Sequence, residues 1–344
     1  MEYFCLMVSE IKIEEVFSQK WPIIDVRSPG EYDRGHIPNS INIPLFSNDE
    51  RAQVGTIYKQ QSKEAAIKKG YDFVEPNLDK FISQSSKVAP NGKVIIHCWR
   101  GGMRSRSFAK HLSNNGFSDV RVIVGGYKTF RNLVLDSLAS PFHLKVIGGY
   151  TGSGKTHILY ELKKQGNQII DLEKLANHKG SAFGGIGLGK QSTVEQFENN
   201  LYGELNKLNL NEPVYIEDES QNIGKIKIPT QFFKQIRSAK LYFIEIPREE
   251  RAKHLVTEYA RCDKELLAES IQNISKRLGG LNTQESLKFL EDENYYEVAL
   301  ISLHYYDKYY LKGMNARKSE NVIKIPLPST NHHENALEIE KLQK

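Results

Sequence analysis

One short segment constrains this chain more than any other feature: residues 149–156 read GYTGSGKT and match the pattern G-x-x-x-x-G-K-[ST] in full. The apolar run LKVI from Leu144 precedes the segment, and the helix-like run HILYELKKQG follows it. In such a strand–loop–helix unit, backbone N–H groups close around phosphate oxygens and the helix start adds positive potential. The segment therefore predicts a phosphate-binding loop in an α/β domain; the alternative is a tight turn that binds nothing.

The side chains of this loop have separate expected roles. Lys155 is expected to bridge terminal phosphates, and Thr156 is expected to reach a metal ion. The predicted diphosphate-binding residues are Gly149, Gly152, Ser153, Gly154, Lys155 and Thr156. The motif does not identify the reaction, because it serves any ligand that carries a diphosphate.

A second, acidic element is expected to hold the metal ion or to orient a water molecule. Glu217, Asp218 and Glu219 follow the apolar run VYI and are the preferred candidates. Asp171 and Glu173, which follow the run QII, are the competing pair. Either group could instead be a solvated strand end.

Strand and helix signals divide the chain near residue 140. Short apolar runs at Ile23–Val26, Lys93–His97 and Val120–Val124 alternate with helical patterns, which is typical of a largely parallel sheet. A second α/β unit begins at Leu144, and the pattern becomes helical from Arg248 onward. The predicted divisions are residues 1–137, residues 143–330 and a tail at residues 331–344, which is expected to be a short helix or a frayed end.

Composition excludes several classes of protein. Apolar residues make up 39% of the chain, and 47 basic against 42 acidic residues give a net charge of +5. No apolar run approaches the length of a membrane span, and the first residues do not read as a signal peptide. The three cysteines form no Cys-x-x-Cys pair. We expect a cytoplasmic protein without a structural metal site and without contact with a membrane.

One of the three cysteines lies in a distinctive loop. The run CWRGGMRS begins at Cys98, directly after a predicted strand and before a predicted helix. Backbone N–H donors, the helix dipole and nearby arginines stabilise a thiolate in such a position. Cys98 is therefore the predicted catalytic residue, although a lone cysteine is commonly a buried structural residue. The accompanying active-site loop residues are Trp99, Arg100, Gly101, Gly102 and Arg104.

A longer run resembles the signature of rhodanese domains. From Asp25 the chain reads DVRSPGEYDRGHIPNSINIP. The resemblance implies that Cys98 carries sulfur or selenium in the active loop. It also implies that Asp25, Arg27, Glu31 and His36 mostly hold the scaffold together.

The rhodanese signature, the cysteine loop and the phosphate loop together resemble the tRNA 2-selenouridine synthases. Further stretches fit this family: ERAQVGTIYKQ from Glu50, LANHKGSAFG from Leu175 and YIEDESQNIGKIKIP from Tyr215. The family implies an α/β fold with an N-terminal rhodanese-like domain that has a parallel sheet. A P-loop NTPase-like α/β domain with a helical C-terminal part is expected to follow.

The family also implies a two-step exchange at the wobble base of tRNA. Geranyl diphosphate first alkylates the sulfur of 2-thiouridine, and selenophosphate then replaces the geranylthio group. No tightly bound cofactor is expected; geranyl diphosphate and selenophosphate are co-substrates, and Mg²⁺ is a candidate ion. The phosphate loop suits the first step, and the Cys98 loop suits the second step as a selenium carrier or as a group that positions selenophosphate.

Basic residues are concentrated near Cys98, as a tRNA partner requires. Seven basic residues and one acidic residue lie between Cys98 and Arg131. The predicted tRNA-binding residues are Arg104, Arg106, Lys110, Lys128 and Arg131. Such a patch suits a phosphate backbone, although it could also be a solvated helix face.

Contacts by five further residues are predicted from residue type and from the resemblance. Trp99 and Tyr127 are candidates to stack on the unpaired base. His178, Lys179 and Ser181 in the run ANHKGSAFG are candidates to contact phosphate or diphosphate.

Two other functions fit some of these features. A rhodanese-type sulfurtransferase coupled to a P-loop ATPase or kinase would turn over nucleotide with a small acceptor. A non-catalytic rhodanese fold with a nucleotide switch is disfavoured by the intact cysteine loop.

Overall fold

The computed structural model describes residues 8–342. The chain divides into two compact units, residues 1–137 and 138–344. The strands of the first unit are β1 (Ser9–Ile11), β2 (Ile23–Asp25), β3 (Ile41–Asn42), β4 (Lys93–His97) and β5 (Asp119–Ile123). Its helices are α1 (Ile13–Val16), α2 (Pro29–Arg34), α3 (Asn48–Gln60), α4 (Lys63–Val74), α5 (Leu78–Val88), α6 (Met103–Asn114) and α7 (Gly126–Ala139), which extends past the boundary.

The five strands of the first unit form one parallel sheet in the order β1-β5-β4-β2-β3. The central strand β4 is buried from Val94 onward, because helices cover both faces of such a sheet. Asp25 and His97 are paired at the carboxyl ends of β2 and β4, and Cys98 follows directly. The topology therefore places the cysteine loop at the edge of the sheet where parallel α/β folds bind ligands.

The second unit contains strands β6 (Leu144–Gly149), β7 (Gln168–Ile170), β8 (Val214–Glu217), β9 (Asn222–Ile223), β10 (Ile226–Lys227), β11 (Lys240–Glu245) and β12 (Val322–Pro326). Its helices are α8 (Lys155–Lys164), α9 (Leu172–Ala176), α10 (Val194–Leu205), α11 (Thr230–Ser238), α12 (Arg248–Tyr259), α13 (Lys264–Asn273), α14 (Ser275–Leu278), α15 (Gly280–Glu291), α16 (Tyr295–Asn315) and α17 (His332–Lys341).

Five of these strands form a parallel sheet in the order β12-β11-β6-β8-β7, and β9 and β10 form a separate antiparallel pair. The phosphate loop follows the central strand β6, and the acidic run at residues 217–219 follows its neighbour β8. Helices α12 to α16 make up the helical part, in which Leu267, Ile271 and Leu290 belong to a separate buried cluster. The expected α/β class with two parallel sheets is confirmed.

The end of the chain takes one of its two predicted forms. Residues 332–341 form a short helix, α17, which contacts α8. Ala336 and Ile339 are fully buried and belong to the same apolar cluster as Ile158 and Leu162. Asn335 is buried with them, whereas His333, Glu334, Leu337 and Glu338 are exposed, so one narrow stripe of the helix packs against the core.

Candidate active site

The cysteine loop is shaped by two glycines with positive φ. Gly101 has a φ of 63°, and a Cβ there would lie 2.4 Å from the carbonyl oxygen of Ile123. Gly126 has a φ of 60°, and a Cβ there would lie 2.4 Å from the carbonyl oxygen of Cys98. Since only glycine fits both the conformation and the space, the loop after β4 and the loop after β5 pack backbone to backbone. The N–H of Tyr127 donates to the Cys98 carbonyl at 2.9 Å and completes this contact.

The Cys98 thiol has the environment of a reactive group. Its side chain is buried, and its Sγ lies 3.2 Å from the Oγ of Ser105. Burial opposes ionisation, but the Ser105 hydroxyl, the charge of Arg104 and the backbone N–H groups of Ser105 and Arg100 outweigh it, so the pKa of Cys98 is lowered. The loop therefore stabilises a thiolate, which is the nucleophilic form of cysteine.

A buried ion pair holds the sheet edge beneath this loop. The Arg27 guanidinium donates to both carboxylate oxygens of Asp25 and also to the carbonyl oxygen of Gly35, and both charged groups are almost fully buried. The guanidinium carbon lies 3.8 Å from the centre of the Tyr127 ring. Such a fully bonded pair fixes geometry, and removal of one partner would leave a buried charge.

Two predicted tRNA contacts have other partners in the structure. Tyr127 is fully buried among Arg27, Trp99 and Phe130, so its ring has no face for a base. The prediction of base stacking by Tyr127 is wrong, because residue type alone does not report burial. Arg104 donates to the Glu31 carboxylate at 3.0 Å and so belongs to the scaffold of the loop.

The remaining basic candidates lie on α6 and α7. Arg106 pairs with Glu10 and donates to the Gly101 carbonyl, whereas Lys110 and Lys128 are exposed. Arg131 is half-buried on α7. Trp99 is 38% exposed, so its ring can still receive a base.

A wide groove beside Cys98 was not predicted from the sequence. It has a volume of about 1140 Å³ and is lined by residues of α3, α4 and α6 together with Cys98, Trp99 and Arg100. Its apolar lining includes Val54, Ala66, Ile67, Val74, Phe81 and Phe108. Its basic lining residues are Arg51, Lys59, Lys63, Arg100, Arg104 and Lys110. In the sequence, α3 and α4 show apolar residues on one side only. Any helix that packs against a protein core has the same pattern, so it does not indicate a groove.

In the second unit, the phosphate loop ends where helix α8 begins at Lys155. Gly152 and Gly154 have φ values of 78° and 70°, which turn the backbone so that the motif can form. The Lys155 Nζ donates to the Gly149 carbonyl at 3.4 Å. Arg251 of α12 donates to the Thr151 carbonyl at 3.0 Å and braces the loop from outside.

The charge around Lys155 is strongly negative. Burial opposes protonation of Lys155, but Tyr310, Glu219, Glu173 and Glu217 outweigh it, and the pKa of Lys155 is raised. Burial likewise raises the pKa of Glu217 and Glu219, and neighbouring carboxylates add to both shifts. More buried carboxyl groups therefore surround Lys155 than one lysine can neutralise.

These acids fit a Mg²⁺ ion. The Thr156 hydroxyl donates to the Glu173 carboxylate at 3.0 Å, so the motif side chain and an acid already share a site. Glu219 and Glu173 converge on the same point, since a Cβ on Gly180 would lie 2.5 Å from a carboxylate oxygen of Glu219 and 3.0 Å from one of Glu173. Hydroxyl and carboxylate oxygens are the ligands that Mg²⁺ prefers. Thr156, Glu173 and Glu219 are the residues that would hold the ion.

The structure gives two of the predicted acids other partners. Asp218 accepts hydrogen bonds from Arg237 and Arg317, and these pairs direct it away from the acidic cluster. Asp171 caps α9 by accepting from the Lys174 N–H at 2.7 Å, and it also accepts from the Tyr160 hydroxyl. Neither carboxylate reaches a metal ion without losing these bonds.

The segment that contains His178 lies close to the acidic cluster. A Cβ on Gly180 would lie 2.5 Å from the Glu219 carboxylate, which shows how near the backbone passes. Lys179 pairs with Glu258 at 3.2 Å, and the ring of His178 packs against Gly184. Phosphate contacts by His178, Lys179 and Ser181 stay a prediction.

Two family models match the chain. The model for the tRNA 2-selenouridine synthase AAA domain matches residues 142–328, and the model for the rhodanese-like domain matches residues 12–133. The chain is a member of the tRNA 2-selenouridine synthase family. The family that the motifs suggested is therefore confirmed.

Curated relatives in this family match most of the chain. The tRNA 2-selenouridine synthase of Nitrosomonas europaea is 33% identical, over 88% of this chain and 91% of the relative. The enzyme of the same name from Bdellovibrio bacteriovorus is 33% identical over 89% of this chain and 92% of the relative. A solved N-terminal domain of a putative ATP/GTP binding protein from Clostridium difficile 630 is 47% identical over 37% of this chain and 99% of that chain, with a TM-score of 0.36.

In residues 8–342, no helix is long and apolar enough to cross a membrane. Cys262 is a free, partly buried cysteine on neither site, and Cys5 lies outside the described residues.

Proposed function

We propose that this protein converts 2-thiouridine at the wobble position of tRNA to 2-selenouridine in two steps, one in each unit. Family membership supports an enzyme that acts on tRNA. The relatives are named tRNA 2-selenouridine synthase, and the match covers about 90% of the length of each. The observation that carries the detailed proposal is the low-pKa thiol of Cys98 at the wall of a large apolar groove.

The phosphate-loop unit is proposed to perform S-geranylation. The thiocarbonyl sulfur attacks C1 of geranyl diphosphate, and diphosphate leaves with the electron pair of the C1–O bond. Lys155 and the N–H groups of the loop bind the departing diphosphate, whose negative charge grows as the bond breaks. A Mg²⁺ ion held by Thr156, Glu173 and Glu219 would neutralise further charge, and it would offset the repulsion among the buried acids.

The rhodanese-like unit is proposed to perform the replacement. The selenium of selenophosphate bonds to C2 of the base, and the geranylthio group leaves with the electrons of the C2–S bond. Water then takes up the phosphoryl group, so that the products are 2-selenouridine, geranylthiol and phosphate. Cys98 is proposed to position selenophosphate, because carrying its selenium as a perselenide would need a two-electron oxidant that the reaction does not supply, whereas the arginine-rich loop suits an anion.

The groove supports this order of events. A ten-carbon geranyl chain needs an apolar site, and burial contributes about 0.8 kcal/mol per methylene group. The groove walls supply Val54, Ala66 and Ile67 for the chain, and the exposed ring of Trp99 supplies a stacking surface for the base. Lys59, Lys63 and Lys110 at the same groove suit the tRNA backbone, so binding should weaken steeply with salt.

The two steps are separable in one assay. The protein is incubated with a 2-thiouridine anticodon stem-loop and geranyl diphosphate, or with the S-geranylated stem-loop and selenophosphate, and the nucleosides are identified by mass spectrometry. Lys155→Ala should abolish geranylation and retain replacement, whereas Cys98→Ser should do the opposite. Lys164→Ala is the matched control, because Lys164 lies exposed at the far end of α8. Normal geranylation by Lys155→Ala would refute the first assignment, and replacement at full rate by Cys98→Ser would refute the second.

The groove has its own test within the replacement step. Val54→Trp should fill it and slow replacement of the geranylthio group at least tenfold, while an S-methyl-2-thiouridine stem-loop reacts at the normal rate. Thr56→Trp is the control, because Thr56 is exposed on the same helix and does not line the groove. Equal slowing of both substrates would show that the groove does not hold the prenyl chain. Nucleotide hydrolysis that is independent of thiolated tRNA would favour the sulfurtransferase–ATPase reading.

A further inference from the structure

Three histidines from distant parts of the chain meet beside the phosphate loop. His157 lies on α8 directly after Thr156, His254 lies on α12, and His332 is the first residue of α17. Each offers one ring nitrogen, and the three nitrogens all lie within 4.8 Å of one another. A Cβ on Gly154 would lie 2.4 Å from the His332 Nε2, so the cluster sits against the end of the loop.

The three imidazole rings contact one another. The rings of His157 and His332 stack with centroids 4.5 Å apart, and His254 meets both edge-on at 5.5 and 5.1 Å. The Nε2 of His332 is buried and has no hydrogen-bond partner within the described part of the chain. Buried ring nitrogens are normally bonded, so this atom points to a missing ligand.

An acid lies beside two of the three histidines. Glu258 lies one turn after His254 on α12, and its carboxylate oxygen is 3.7 Å from the His254 Nε2 and 3.9 Å from the His157 Nδ1. Lys179 also pairs with Glu258 at 3.2 Å. The neighbouring His333 is turned to Glu161 instead, and so it is outside the cluster.

We propose that His157, His254 and His332 bind a divalent transition metal ion of the zinc type, with the Glu258 carboxylate as the fourth ligand. Imidazole nitrogens with one carboxylate suit Zn²⁺, Co²⁺ and Ni²⁺, whereas Mg²⁺ prefers oxygen ligands. Zinc–nitrogen distances of about 2.0–2.1 Å require ligand nitrogens about 3.3 Å apart in a tetrahedral site. Small side-chain rotations therefore have to shorten the distances between the three ring nitrogens by about 1.5 Å or less, and Glu258 has to turn toward them.

The ion would connect three elements that are far apart in the sequence. It would tie α17 to α8 and α12 at the point where α8 leaves the phosphate loop. Its expected role is structural: it holds the C-terminal helix against the loop, separately from the Mg²⁺ proposed at Thr156. The inference does not depend on the proposed reaction.

Cobalt(II) titration tests the site directly. The tag-free, metal-stripped full-length protein is titrated with Co²⁺ in excess Mg²⁺, and visible absorption is recorded between about 500 and 650 nm, where tetrahedral Co²⁺ absorbs. We expect an intense band that saturates at one ion per chain and that Zn²⁺ abolishes. His254→Ala and His332→Ala should each weaken binding at least 100-fold, and Glu258→Gln should shift the band.

The controls keep the inference falsifiable. His333→Ala and His304→Ala, both at exposed positions, should bind like the unaltered protein. Thermal melts of every variant show whether it is folded, and Zn²⁺ should raise the melting temperature only where the three histidines are intact. Absence of the band, equal binding by the His254→Ala or His332→Ala variant, or a histidine-dependent response to inorganic phosphate alone would overturn the assignment.

Discussion

Ser105→Ala tests how the loop activates Cys98. The Ser105 Oγ lies 3.2 Å from the Cys98 Sγ and 3.1 Å from the Gly102 carbonyl oxygen, and its one proton donates to the sulfur when Cys98 is a thiolate. A hydrogen bond to a charged group contributes about 1.5–3 kcal/mol. Since one pKa unit equals about 1.4 kcal/mol, loss of the hydroxyl should raise the pKa of Cys98 by roughly one to two units. The fraction of Cys98 present as thiolate near neutral pH should therefore fall by up to about 10- to 100-fold.

The pKa is measured from the pH dependence of iodoacetamide alkylation in a protein whose Cys5 and Cys262 are replaced by serine. The rate of the replacement step on S-geranylated RNA should show the same shift in its pH profile. Ser105→Thr keeps the hydroxyl and should restore the low pKa. Ser107→Ala is the matched control, because Ser107 is exposed on the same helix. An unchanged pKa in Ser105→Ala would refute the reasoning and would leave Arg104 and the backbone N–H groups as the cause.

Two further predictions concern the phosphate-loop unit. Burial and neighbouring acids raise the pKa of Glu217 in the folded state. At low pH Glu217 is neutral and does not destabilise the fold; as the pH rises through the raised pKa it becomes charged and the free energy of unfolding falls. Without Mg²⁺, Glu217→Gln should therefore melt several degrees above the unaltered protein at pH 9 and converge with it at pH 5; parallel melting curves would contradict this. Ile339→Ala should cost about 2–5 kcal/mol in urea unfolding because Ile339 is fully buried, whereas Leu337→Ala, at a position 38% exposed on the same helix, should cost far less. Equal stability of both variants would mean that α17 is not part of the core.

The local elements were largely predictable, because each has a short-range cause. The strand at Lys93–His97 was predicted with the bounds that the structure shows, and the run at Val120–Val124 was displaced by one residue. The phosphate loop and the start of the helix after it were predictable because eight consecutive residues determine the backbone geometry of the loop. The strands β1 and β3 were missed because they have only three and two residues, and β12 was missed because Lys324 and Pro326 interrupt its apolar run.

The side chains of the sites were harder to predict than the loops that carry them. Three consecutive acids after β8 are equivalent in the sequence, yet Glu217 and Glu219 face the phosphate loop and Asp218 pairs with arginines on the other side. Alternation along an extended chain separates them, but which face is the site depends on the neighbouring elements. Tyr127 shows the same limit, because the guanidinium of Arg27 that covers its ring is 100 positions away in the chain.

The sequence by itself determined the family, the two α/β units, the diphosphate loop and the one cysteine with a thiolate-stabilising setting. These features depend on contiguous residues, where spacing alone specifies backbone turns and helix starts. Only the tertiary structure decided that α3, α4 and α6 line an apolar groove beside Cys98, and that the C-terminal segment packs into the core as a helix. It alone brought His157, His254 and His332 together. Those arrangements depend on packing between segments up to 175 residues apart, and no local pattern encodes which surfaces such segments bury against one another.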